Sequence, residues 1–111
     1  MIIVVFRARL RPDADLPELG RIGERMAELA KGTLGLISHK DYTAEDGENV
    51  TVVEFASEPD LLAWRQHPEH VLAQQRARRD FFSDYRIQVC RVERSYHFEL
   101  DKGRFEDSAS P

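Results

Sequence analysis

The chain has 111 residues, 41% of them apolar and 32% charged, with a formal net charge of −4. That length holds one compact domain, and the balance of apolar and charged residues is that of a globular chain rather than a disordered one. The acidic balance argues against nucleic acid as a partner, and a lone Cys90 can form no disulfide within the chain, so a reducing, cytoplasmic compartment is expected.

The chain opens on Ile2-Ile3-Val4-Val5-Phe6, far short of the roughly 20 apolar residues that cross a bilayer. No basic stretch precedes this run and no small-residue cleavage site follows it, so neither a membrane span nor a secretory signal is expected. Its β-branched and aromatic content predicts a first strand over 2–10. Leu16, Leu19, Ile22, Met26 and Leu29 then recur at spacings of three and four, which predicts an amphipathic helix with Pro17 in its first turn and its end at Gly32. A more polar strand follows over 34–42. After the turn signal Glu45-Asp46-Gly47-Glu48, a third strand over 50–55 closes a hairpin.

Ser57-Glu58-Pro59-Asp60 has the pattern of a helix cap, with a hydroxyl placed for a backbone amide and acids that suit the positive end of the helix. The helix it starts runs through Trp64 to His67-Pro68, where proline forces a break, and a second segment continues from Pro68 to about Ser83. Alternation over 85–98 predicts one long final strand, and residues 101–111 read as a C-terminal tail outside a domain of residues 1–100. The order β-α-β-β-α-β is the ferredoxin-like α+β plan, an antiparallel sheet with two helices on one face.

Such a sheet needs one apolar face only, yet strand one is apolar at both parities, and strand three sets Val50 and Val52 against Val53 and Phe55. Both faces require cover, and the chain has helices for one. A homodimer in which the sheets meet is the expected solution.

The chemistry-bearing residues concentrate in Trp64-Arg65-Gln66-His67-Pro68-Glu69-His70. His67 and His70 have a metal-like spacing, but Pro68 interrupts the helix that would align them and nothing fixes a third ligand, so no metal site is expected. His70 shares a helical face with Ala73, Gln74, Ala77 and Phe81, and the two small alanines leave room for a pocket against the sheet. From spacing alone, His70 is either a core histidine with a backbone partner or a working imidazole. Trp64 is likewise either packing or an aromatic wall for a planar ligand. Residues 41–60 hold seven acids and no base, whereas Arg76, Arg78, Arg79, Arg86, Arg91 and Arg94 crowd the last helix and strand, a segregation that suits complementary surfaces within the chain or across a dimer. No phosphate loop, nucleophile elbow or nucleotide or flavin fingerprint is present.

Three stretches together resemble the antibiotic biosynthesis monooxygenase (ABM) domain: Val52-Val53-Glu54-Phe55-Ala56-Ser57, then Ala63-Trp64-Arg65-Gln66-His67-Pro68-Glu69-His70, then Phe81-Phe82-Ser83-Asp84-Tyr85. The resemblance covers residues 1–98. It implies a dimeric α+β barrel and, in one branch, oxidation of a small aromatic or quinol-type substrate by oxygen with no metal, flavin or haem, the substrate itself supplying the electrons. On that basis His70 is the expected proton handler and Trp64 the wall, with Gln74, Phe81 and His39 as substrate-binding residues and no cofactor. A non-catalytic binding or stress-related protein of the same fold is the alternative. A haem-degrading branch fits less well, because the first strand has no Asn and the position ten after Trp64 is Gln74, a poor iron ligand.

Overall fold

The structure is a computed structural model and describes residues 1–107. Its elements follow in the order β1 (Ile2–Leu10), α1 (Leu16–Lys31), β2 (Leu36–Thr43), β3 (Asn49–Phe55), α2 (Glu58–Arg65), α3 (Pro68–Arg76), a wide π-helical turn (Ala77–Phe81), β4 (Phe82–Arg91), β5 (Tyr96–Glu99) and β6 (Gly103–Glu106). The first four strands of this order make one antiparallel sheet, β2-β3-β1-β4, which is the ferredoxin-like arrangement.

Local chemistry explains each helix start. The Asp15 carboxylate accepts the Glu18 amide at 3.1 Å to begin α1. Ser57 Oγ accepts the Asp60 amide at 3.4 Å and donates to Asp60 Oδ2 at 2.7 Å, closing the first turn of α2. Pro68 does break the helix, and the break is capped in turn: His67 Nδ1 accepts the Glu69 amide at 3.2 Å, so His67 is the N-cap of α3. Gly35 enters β2 with φ of +83°, and a β-carbon there would run into the Asp60 carboxylate, so only glycine allows this close approach.

Register sets the side chains of the sheet in rows. Asp41, Thr51, Phe6 and Ile87 form one row, and His39, Val53, Val4 and Val89 the next. These rows face the helices. Ile2, Val53 and Phe55 pack there against Ala30, Leu61 and Trp64 in the core. Ile3, Val5, Val50 and Val52 point the other way, where no helix lies.

The C-terminal third differs from expectation. β4 begins at Phe82, because a register shift between Arg9 and Leu10 pairs Leu10 with Phe82. It ends at Arg91, and residues 96–106 fold back on themselves as a two-stranded hairpin, β5–β6, in place of the expected long strand and tail. Gly103, at φ of +79°, provides the tight turn. The expected tail's residues 108–111 lie outside the described residues. No described helix is long and apolar enough to cross a membrane.

Candidate active site

A cavity of about 250 Å³ lies between the helices and the sheet. Its floor is apolar: Val4 and Phe6 from β1, Val53 from β3, Ile87 and Val89 from β4. Leu19, Ile22 and Met26 of α1 close one side, and Trp64 and Arg65 of α2 another. The α3 segment completes the roof with His70, Ala73, Gln74 and Ala77. The alanines at the last turns of this roof leave the space that a leucine would fill.

Proline placement gives His70 its position. With the helix restarted at Pro68, residue 70 lies in the first turn of α3 and its ring comes to 4.5 Å from the Trp64 ring, tilted by 44°. His70 Nδ1 is buried and has no hydrogen-bond partner. Burial lowers its pKa below that of an ordinary histidine, the Arg65 guanidinium pushes the same way, and the Arg65 backbone carbonyl acts against them. Burial favours the neutral ring, and a neutral imidazole carries one N–H and one nitrogen lone pair. Such a group can take a proton from a ligand hydroxyl.

Ion pairs on the outer side hold α3 over the cavity. Arg25 grips Glu69 through two bonds of 2.8 Å, and Arg76 reaches Glu18 at 2.7 Å. The Arg25 guanidinium holds the Glu69 carboxyl below the usual carboxylate range. No residue of α3 is itself fully buried, and its cavity-facing side chains are its main ties to the sheet.

No protein-family profile matches the sequence. The chain is similar to the uncharacterized protein YqjZ of Bacillus subtilis, 30% identical over 80 residues that cover 72% of this chain and 70% of YqjZ. The chain belongs to the family of YqjZ. Its fold is that of the antibiotic biosynthesis monooxygenases. One solved structure bearing that description superposes with a TM-score of 0.71 at 10% identity, covering 83% of this chain and 98% of the other. SnoaB of Streptomyces nogalater, described as a cofactor-independent oxygenase, superposes with a TM-score of 0.69 at 11% identity over 85% of this chain and 94% of its own. At these identities the likeness is one of fold.

Within this ABM fold the residues singled out from the sequence separate clearly. Trp64, His70, Gln74 and His39 all line the one cavity. Phe81 does not: it is 2% exposed and packs in the interior under the Arg76 guanidinium, 5.6 Å from its ring centre. A regular helix through residue 81 would align it with His70, but the π-helical turn at Ala77–Phe81 shifts the phase, and Phe82 takes the place on the cavity wall. Among the described residues no group of three His, Cys, Asp or Glu side chains could hold a metal ion.

Asp41, Thr51 and Arg65 also line the cavity and were missed from sequence. The signal was present for Asp41, which shares the strand face of His39 two residues away and pairs in register with Thr51.

Proposed function

We propose that the chain is a cofactor-independent monooxygenase that oxidises a small aromatic or quinol-type substrate with molecular oxygen, working as a homodimer. The observation that carries this reading is His70 Nδ1, a buried, unpartnered ring nitrogen at the edge of a largely apolar cavity and beside an indole. The volume suits one or two fused rings. In the reaction envisaged, His70 accepts the acidic proton of the bound ring system and leaves an electron-rich anion between Trp64 and the apolar floor. A ring methylene and one molecule of oxygen then give a ring carbonyl and one molecule of water. Both C–H bonds of the methylene break and the carbon is oxidised by four electrons. One oxygen atom becomes the carbonyl oxygen, and the other leaves as water with the two hydrogens. The apolar setting keeps bulk water from quenching the anion. Gln74 and His39 orient the substrate oxygens.

The homodimer rests on the outer sheet face. The chain exposes 7974 Å², against roughly 6,300 Å² for a compact monomer of its mass. Ile3, Val5, Val50 and Val52 form an apolar strip on that face, with Tyr42 beside it 55% exposed.

Oxygen uptake with a panel of quinols and anthrones tests the function. Uptake with one carbonyl product formed per oxygen consumed is expected. Ligand-dependent stabilisation without uptake identifies a binding module instead, and a shifted Soret band on adding hemin identifies the haem-handling branch.

A further inference from the structure

The reaction outlined above uses His39 on the β2 side of the cavity but leaves its neighbours Asp41 and Thr51 without a task. Asp41 and Thr51 face each other in register, and the Thr51 hydroxyl donates to Asp41 Oδ1 at 2.6 Å. That bond fixes the carboxylate and leaves Oδ2 open. Glu18, Glu48, Glu69 and Asp80 are each held by an arginine. Asp41, among the described residues, has the Thr51 hydroxyl and no ion-pair partner. Its row runs on through Phe6 and Ile87, so the carboxylate is the polar end of an otherwise apolar strip.

An ionised carboxylate can only accept hydrogen bonds. His70 offers a second acceptor from the helix layer. Gln74 and Arg65, also on the helix side, can serve an acceptor on the ligand. On the sheet side, beside His39, Thr51 fixes the solvent-exposed Asp41 carboxylate at the cavity's mouth, and an acceptor brought against it would meet its negative charge. We propose that Asp41, positioned by Thr51, is a specificity-determining residue of this cavity, taking a hydrogen bond from a second ligand hydroxyl distinct from the one His70 addresses. The inference rests on reading the cavity as an aromatic-binding site.

Calorimetric titration under nitrogen, where no oxygen chemistry runs, tests it with naphthalene-1,5-diol and 5-methoxy-1-naphthol, which differ by one hydroxyl donor. The intact chain is expected to bind the diol about tenfold or more tightly than the ether. Asp41→Ala should bring the two affinities together, chiefly by weakening the diol, and Thr51→Val should give an intermediate ratio. A ratio unchanged in Asp41→Ala overturns the inference, as does a ratio near unity in the intact chain. Absence of binding by either compound overturns the aromatic-site reading and this inference with it, whereas binding with an unaltered ratio overturns this inference alone.

Discussion

His70 couples the cavity to the stability of the chain. Its folded-state pKa is lowered, chiefly by burial, while in the unfolded chain it titrates at roughly 6.5. Below that pH the unfolded state binds the extra proton, so the contribution is fully present above about 6.5 and is lost as pH falls from there through the lowered folded value. Urea midpoints measured between pH 7.5 and 5.5 should therefore fall more steeply for the intact chain than for His70→Gln. Equal slopes would show that the ring is not held neutral by its surroundings. The same residue shows what a sequence discloses. His70, Trp64 and Gln74 were legible because proline fixes where the helix restarts, and the spacing from that point does the rest. Phe81 was not, since nothing in Ala77-Arg78-Arg79-Asp80-Phe81 announces a turn of changed pitch. Asp41 was overlooked because an exposed acid in a polar edge strand carries no signal of its own until register places Thr51 and the cavity's mouth beside it.

At the scale of elements, α2 and α3 are short, and their ends decide whether the cavity keeps its roof. Isolated helices of eight or nine residues do not persist without caps and tertiary contacts. Ser57→Ala removes the α2 cap and the Oγ bond that steadies Asp60 against Gly35. A loss of about 1 kcal/mol is expected by urea denaturation, largely restored in Ser57→Thr, which keeps the hydroxyl as both acceptor and donor. The exposed Arg25–Glu69 pair should contribute less, since ion pairs with this much solvent around them are worth only fractions of a kcal/mol. Five of the expected elements sit within a few residues of their observed bounds, because caps, prolines and apolar periodicity are local signals. The β5–β6 hairpin escaped notice for the opposite reason. Leu100-Asp101-Lys102-Gly103 is a turn signal, but continuous alternation on its N-terminal side ran β4 and β5 together.

For the whole molecule, the informative quantity is how much remains uncovered. The described chain measures 48 × 32 × 20 Å, its shortest dimension being that of one sheet under one layer of helices. Its radius of gyration is 15.8 Å, against roughly 13 Å for a compact chain of this length. Phe98, 65% exposed, and Leu100, 88% exposed, sit on the hairpin and add to the open apolar surface. The proposed second copy over the outer sheet face would cover the strip that the helices leave bare, where no element of the described chain lies. Sedimentation at micromolar concentration should give about twice 12.8 kDa, and Val52→Glu, which puts a charge in the middle of the strip, should reduce it to the single-chain mass. A wild-type chain sedimenting at the single-chain mass would remove the dimer.

The central claim is that His70 turns this cavity into a site for oxygen chemistry, and one measurement addresses it directly. Oxygen uptake is followed with an electrode for the intact chain and for His70→Ala, using whichever anthrone or quinol supports turnover. Uptake by the intact chain is expected, with a rate reduced about a hundredfold or more in His70→Ala and the fold retained by circular dichroism. Undiminished uptake in a folded His70→Ala variant, or none from the intact chain across the panel, would contradict it.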